Sequence, residues 1–275
     1  MKDYLIKVDN ILPREPDPAF ARRARIIFAN LDINGNEKIL EIGCGRGFYL
    51  KTLKEVWPKL EVTGIDLNLE YLKKAEEFVG ELKVNLRVAD ATKLPFEDKT
   101  FDRIIATEIL EHIPDDQKAI AEIYRVLKPG GMVMITVPNI NYPFLWDPLN
   151  WTLERFFRTH IPSNVWWLAG IWADHVRLYD ERELKNKIEK KRFKIEKIWH
   201  STRYCFPFCH FILYGIGKNL VEKGLFKNYN RFIFQNNPSL MKKILLFPIR
   251  WIDSKNININ DQNCSSVNLI FKAKK

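Results

Sequence analysis

Lys38-Ile39-Leu40-Glu41-Ile42-Gly43-Cys44-Gly45-Arg46-Gly47-Phe48-Tyr49-Leu50 is an apolar strand that breaks into glycines and restarts as a helix. Lys38 to Ile42 is a short buried run ending beside a carboxylate, and Leu50, Leu53 and Trp57 then recur at helical spacing before Pro58. The glycines let the backbone pass close under a ligand, and the helix N-terminus beyond them supplies free N–H groups. The G-x-G-x-G pattern alone fits any nucleotide loop, or only a tight turn. The next strand narrows this: Thr63-Gly64-Ile65-Asp66-Leu67 ends in an acid about twenty residues beyond the glycines, where a carboxylate can accept both hydroxyls of a ribose. A pyrophosphate ligand would call for G-x-G-x-x-G, and Glu41 just before the loop would repel it. A carboxylate there suits a cationic ligand.

Working outward, strand and helix alternate. Asp17-Pro18 reads as an N-cap with proline at the first helical position, followed by a face of Phe20, Ala24, Ile27/Phe28 and Leu31. Residues 1 to 12 before it read as a loose arm, and Arg22, Arg23 and Arg25 as a solvated basic face. Leu69 to Val79 is helical, Val84 to Val88 is a third strand and Phe101 to Ala106 a fourth. Asp115 caps a helix carrying Ile120, Ile123, Tyr124 and Leu127, which Lys128-Pro129-Gly130-Gly131 ends, and Met132 to Val137 is the fifth strand. Asp180 and Glu183 form a capping box ahead of Leu184 and Ile188. Phe193 to Trp199 is the sixth strand, and Val267 to Phe271 the last. The fold class is α/β, with the ligand at the C-terminal ends of the strands of a parallel, doubly wound sheet.

Five motifs in order resemble the class I S-adenosylmethionine-dependent methyltransferases. They are Glu41-Ile42-Gly43-Cys44-Gly45-Arg46-Gly47; Asp66; Val88-Ala89-Asp90-Ala91; Leu94-Pro95-Phe96-Glu97-Asp98 with Phe101-Asp102-Arg103-Ile104-Ile105; and Leu127-Lys128-Pro129-Gly130-Gly131. The resemblance covers residues 38 to about 140. It implies a Rossmann-like seven-stranded sheet, mostly parallel with the last strand antiparallel inside it, plus a helical substrate cover. It also implies S-adenosylmethionine as cofactor, held by Glu41, Gly43, Cys44, Gly45, Gly47, Asp66, Leu67, Asp90, Ala91 and Thr107. Residues 1–37 would be an arm and lid helix, with an arginine placed to meet the methionine carboxylate. Residues 38–138 would form the cofactor-binding core, 139–180 the substrate cover, 181–199 a core helix and strand, 200–260 an insertion and 261–275 the final strand. The cover is rich in tryptophan: Trp146, Trp151, Trp166, Trp167 and Trp172.

The fourth strand runs into Thr107-Glu108-Ile109-Leu110-Glu111-His112-Ile113. On a helix, Glu108, Glu111 and His112 at i, i+3 and i+4 would meet at a common point. This E-x-x-E-H arrangement resembles the quinone-pathway O-methyltransferases and small-RNA 2′-O-methyltransferases, whose downstream histidine would correspond to His175. Glu108, Glu111, His112 and His175 are thus candidates for a divalent metal, but the reading taken is no metal. His112 and His175 are instead the catalytic candidates, as base or substrate-orienting groups beside Glu111. Cys205, Cys209 and His210 with His200 spell a weak zinc pattern; buried cysteines in a packed helix are the preferred reading.

Net charge is +10, four cysteines are irregularly spaced, and no apolar run approaches the ~18 residues that span a bilayer. A cytoplasmic protein is expected, peripheral to the inner membrane face if the charge has that meaning. From Ser201 to Asn260 there are nine basic residues against only Glu222 and Asp253, interleaved with apolar clusters such as Phe206 to Tyr214 and Ile244 to Trp251. That suits helices in an anionic membrane interface; a packed subdomain and a single-stranded nucleic-acid surface are the alternatives. The expected acceptor is a small molecule or lipid, isoprenoid- or quinone-like. An RNA or protein methyltransferase, or a non-catalytic cofactor-binding protein, stands as the alternative.

Overall fold

The computed structural model describes residues 3–12, 15, 17–165, 168–208, 211, 247–248, 251–256 and 265–275. Seven strands form one sheet in the order β3-β2-β1-β4-β5-β7-β6. They are β1 (Lys38–Ile42), β2 (Glu61–Asp66), β3 (Val84–Val88), β4 (Phe101–Thr107), β5 (Leu127–Pro138), β6 (Lys194–Ser201) and β7 (Asn268–Lys274). β7 runs antiparallel to both β5 and β6, and the remaining pairs are parallel. Strand order reverses between β1 and β4, the crevice where this architecture binds ligands.

Side-chain parity on the pleat divides the core into two layers. Leu40 and Ile42, Ile104 and Ala106, Val133, Ile135 and Val137, and Leu269, Phe271 and Ala273 point to one face, where α5 (Asp116–Val126) and α7 (Glu181–Lys190) cover them with Ile120, Ile123, Leu184 and Ile188. Ile39, Ile105, Met132, Met134 and Ile270 point to the other, under α1 (Asp3–Ile11), α2 (Pro18–Asn30) and α3 (Phe48–Val56), with Leu72 and Val79 of α4 (Leu69–Val79). Each buried valine, leucine, isoleucine, methionine or phenylalanine among them is worth about 1.5–3 kcal/mol. The same parity places Glu41 with Ile39, on the α2–α3 side.

Most predicted caps and faces are observed. Asp17 accepts the Ala19 N–H, Asn68 the Glu70 and Tyr71 N–H groups, Asp115 the Lys118 N–H and Asp180 the Arg182 N–H. Two readings at the N-terminus are corrected. The supposed arm contains α1, whose Val8 packs into the core with Leu12 just beyond it, while Tyr4 meets Trp57 at 4.9 Å between ring centroids. Nor are the arginines of α2 a bare solvated face: Arg22 pairs with Asp253, Arg25 with Asp9, and Arg23 is buried and pairs with Glu108. Arg23 follows Phe20 by three positions, which puts it on the apolar side of the helix.

The cover after β5 is held by a buried polar knot. Asp147 accepts hydrogen bonds from the Asn150 N–H and side-chain amide and from the Ile171 N–H, and the Asn150 amide also donates to the Ala169 carbonyl. Gly170 is required there: its φ is +58°, and a Cβ would collide with Asp147 Oδ2. Trp146 is buried while Trp151 and Trp172 pack alongside it; Trp166 and Trp167 lie outside the described residues. Most of the 200–260 insertion lies outside them too. Among the described residues, no helix is long and apolar enough to cross a membrane.

Candidate active site

The loop after β1 is shaped by three residues with positive φ: Gly43 (+71°), Gly45 (+52°) and Gly47 (+82°). The Gly43 and Cys44 N–H groups both donate to the Ile65 carbonyl at 2.9 Å, which ties the bend to β2. A Cβ on Gly43 would stand 2.8 Å from Ile109 Cδ1, whereas one on Gly45 would meet nothing within 4 Å. The bend is thus closed against the motif after β4 and open at Gly45. Below it, Gly64 leaves room for Leu50 and for Cys44, whose thiol is raised far above its ordinary range by burial and by Glu41 and Asp66. Cys44 packs; its thiol stays protonated.

Glu41 is 2 % exposed, and its Oε2 has no hydrogen-bond partner among the described residues. Burial and then the neighbouring Asp66 push its carboxyl well above the usual carboxylate range, against only the Leu50 N–H. A buried carboxyl with a vacant oxygen is costly unless something cationic faces it. Asp66 is fixed across the bend, accepting the Gly45 N–H at Oδ2 and the Asn68 N–H at Oδ1, both at 2.8 Å. Beyond it, Leu67 and Val88 are 68 % and 54 % exposed, apolar side chains at an open sheet end. Asp90 accepts both the Thr92 N–H (2.7 Å) and hydroxyl (2.9 Å), holding the turn that buries Ala91.

Past Thr107, Glu108 takes φ +49° and the chain then makes a single 3₁₀ turn, Leu110–His112. The i, i+3, i+4 convergence expected of an α-helix therefore does not occur. Glu108 turns to Thr136 Oγ1 and Asn268 Nδ2, each at 2.7 Å, and to Arg23 at 3.2 Å. Glu111 instead meets the two histidines. Its Oε1 lies 4.0 Å from His112 Nε2 and 3.9 Å from His175 Nε2, and the two rings are 4.8 Å apart between centroids. Glu111 is fully buried, and neither carboxyl oxygen has a hydrogen-bond partner among the described residues; burial, then Glu108, raises its carboxyl well above the usual range.

His175 arrives from more than sixty positions away because its loop is clamped. The Val176 N–H donates to the Glu111 carbonyl at 2.9 Å, and Arg177 reaches the Pro114 carbonyl at 2.7 Å. Asp116, buried at the first turn of α5, receives Arg177, Lys187 and the Tyr179 hydroxyl. The Asp174 carbonyl faces His112 Nδ1 at 2.8 Å. A carbonyl only accepts, so Nδ1 carries the hydrogen and Nε2 of the neutral ring keeps its lone pair. Two imidazoles and one carboxylate, with ligand atoms all within 4.8 Å of one another, are also a donor set that a divalent transition ion accepts.

Several contributors were not singled out in the sequence: Ile109 under Gly43, Asp174 orienting His112, Thr136 and Asn268 holding Glu108, and Tyr49. Burial pushes the Tyr49 hydroxyl up to about 12, opposed by Arg23. The zinc pattern is not assembled among the described residues: His200 is engaged by Glu181 at 2.5 Å, Cys205 is a buried thiol pushed up to about 12 by burial, and Cys209 and His210 lie outside them.

Residues 40–135 match the family model described as a methyltransferase domain. That match runs from β1 into β5 and spans less than half of the chain. The motifs within the match resemble those of the class I S-adenosylmethionine-dependent methyltransferases, in agreement with the sequence resemblance. A ubiquinone/menaquinone biosynthesis C-methyltransferase of Desulfotalea psychrophila is 32 % identical over 146 residues, 51 % of this chain and 56 % of that protein. A demethylmenaquinone methyltransferase of Staphylococcus aureus is 35 % identical over 130 residues, 46 % of this chain and 53 % of that one. The chain thus spans about half the length of the curated relatives it matches. The phosphoethanolamine N-methyltransferase 2 of Haemonchus contortus, solved with S-adenosyl-L-methionine, superposes with a TM-score of 0.58 over 92 % of this chain and 52 % of that one at 23 % identity, a likeness of fold.

Proposed function

We propose that the chain is an S-adenosylmethionine-dependent methyltransferase acting on a small apolar acceptor, isoprenoid- or quinone-like. The observation that carries this is the pairing of the vacant, buried Glu41 carboxyl with the bend that is open at Gly45. That combination fits a ligand with a cationic methionine end: Glu41 would face its ammonium group, the loop backbone would let it pass, and Asp66 would accept the ribose hydroxyls. Asp90 and Ala91 would edge the base, with Leu67 and Val88 as its apolar flanks. When bound, this cofactor supplies an electrophilic methyl on a positively charged sulfur.

The chain's own task is then to orient the acceptor and remove its proton. Alignment supplies much of the acceleration in such a transfer, and a positioned base about 10²–10⁴-fold more. His112 offers Nε2 as the acceptor of that proton, oriented through Nδ1 by the Asp174 carbonyl. Glu111, whose carboxyl burial and then Glu108 raise well above the usual range, stands 4.0 Å from His112 Nε2 and 3.9 Å from His175 Nε2, where it would orient the two rings. The tryptophan-bearing cover with its buried Tyr142 and Trp146 supports an apolar acceptor, as do the two quinone-pathway relatives. The basic and apolar 201–260 segment is read as the part that meets an anionic membrane surface.

The test is incubation with methyl-labelled S-adenosylmethionine and a host lipid extract, beside RNA and protein fractions. Label is expected in the organic phase and at background in the other two. Label in RNA or protein would replace the acceptor class, and binding without transfer to any fraction would make this a non-catalytic cofactor-binding protein.

A further inference from the structure

The helix α6 (Pro148–Thr152) and the π-turn that continues it, Leu153–Phe157, are built with one face inward and one outward. Inward go Pro148 and Asn150, both buried, and Glu154, whose carboxylate accepts the Tyr142 hydroxyl at 2.8 Å and the Trp172 indole N–H. Outward go Leu149 of α6 and Phe156 and Phe157 of the π-turn, 41 %, 73 % and 69 % exposed. Phe144 and Leu145, just before it, are 47 % and 42 % exposed. Large side chains so exposed and so grouped mark a contact surface.

The charges around this face select its partner. The two acids of the segment are withdrawn: Asp147 lies in the buried knot with Asn150, and Glu154 is committed to Tyr142 and Trp172. Arg158 stays exposed at the left-handed residue that ends the π-turn, while Arg155 lies over the Trp151 ring at 4.4 Å and pairs with Glu154 at 3.6 Å. An exposed aromatic pair followed by the exposed Arg158 and stripped of outward acids is complementary to anionic headgroups over an apolar interior. The face is also continuous with the start of the basic segment, because the Phe208 N–H donates to the Leu145 carbonyl at 2.9 Å and Phe208 is itself 47 % exposed.

We propose that the Leu149–Phe157 face docks the protein on an anionic phospholipid bilayer, with Phe156 and Phe157 entering the interface and Arg158 meeting the headgroups. The helix is tied through Asp147 and Asn150 to Ile171 and Ala169, a few residues before His175, so docking places the cover of the site against the source of apolar acceptors. The proposal extends the reading of an apolar acceptor but fails separately from it, since docking is measured without turnover.

The test is flotation of the full chain with phosphatidylcholine vesicles containing or lacking phosphatidylglycerol. The unaltered protein is expected to float with the anionic vesicles. A Phe156→Ser/Phe157→Ser variant should bind them at least about tenfold more weakly. Arg158→Glu should lose about fivefold or more on anionic vesicles only. Thermal unfolding and S-adenosylmethionine binding should stay unchanged in both. Failure of the parent protein to float, or both variants floating like the parent, overturns the proposal. So does a dimer in sedimentation equilibrium that the phenylalanine variant dissociates, which would make the face a contact between copies of this chain.

Discussion

Replacing Glu41 by glutamine is expected to make the ligand-free protein more stable and the cofactor complex weaker. The carboxyl is 2 % exposed, has a vacant oxygen, and is raised by burial and by Asp66. In the unfolded chain it ionises near the ordinary glutamate value, about 4.3, so above that pH the unfolded state has lost a proton that the folded state keeps. The slope of stability with pH is then negative: the parent loses about 1.4 kcal/mol per pH unit until the folded carboxyl itself ionises, and the loss then levels off. Glutamine has the same shape and no proton to lose. The Glu41→Gln variant and the parent should therefore converge in acid and diverge, variant more stable, as pH rises above the ordinary glutamate value. Urea unfolding curves at a series of pH values measure the difference directly. Cofactor binding should move the other way, because a charge-assisted contact to the methionine ammonium is lost; about 1.5–3 kcal/mol corresponds to affinity weaker by about tenfold to a hundredfold. A difference curve that is flat with pH, together with unchanged affinity, would refute the argument that this carboxyl is held uncharged for a cationic ligand.

Other substitutions separate the site into parts. Gly170→Ala, at φ +58° and with its new methyl driven into Asp147 Oδ2, should destabilise the cover by about 2–4 kcal/mol in thermal unfolding, with cofactor affinity unchanged in calorimetry. His112→Ala should lower turnover by about a hundredfold or more with little change in cofactor affinity, and chelation of divalent metals should leave the parent's turnover intact; loss with chelator and recovery with added metal would transfer the role to an ion on Glu111, His112 and His175. Burial alone would raise the Asp116 carboxyl, but Lys187, Tyr179 and Arg177 outweigh it and lower it. Its contribution is thus complete above the ordinary aspartate value and fades as pH falls through the lower folded value. Asp116→Asn should cost stability at neutral pH and converge with the parent in strong acid.

The parts of this molecule written as local periodicity were readable in the chain. Parity along β1, β4 and β5, the caps at Asp17, Asp115 and Asp180, and the glycine bend ahead of α3 all follow from a few neighbouring residues. The antiparallel place of β7 came from resemblance, since nothing within Asn268–Lys274 states which strands it separates. The bend at which Glu41, Gly43 and Asp66 meet was legible, because they lie in consecutive β-loop-α units. On the acceptor side the helical spacing of Glu108, Glu111 and His112 misled, because the positive φ at Glu108 replaces the expected helix by a 3₁₀ turn. That turn sends one carboxylate to Arg23 and the other to the histidines. The partners that decide this, Thr136, Asn268 and Asp174, are far away in sequence and depend on the closed sheet and the clamped loop. Arg23 was read as solvated although it follows Phe20 by three residues, a spacing that puts it on the buried face of α2.

The central claim is that this chain binds a cationic methyl donor through Glu41 and Asp66. Isothermal titration with S-adenosylmethionine, and with an Asp66→Asn variant in parallel, tests it most directly. The parent is expected to bind one equivalent, more tightly as pH rises because Glu41 releases its proton to meet the cation, and the Asp66→Asn variant to bind clearly less well. Absence of heat at any pH, with no shift in the parent's unfolding temperature, would contradict the account.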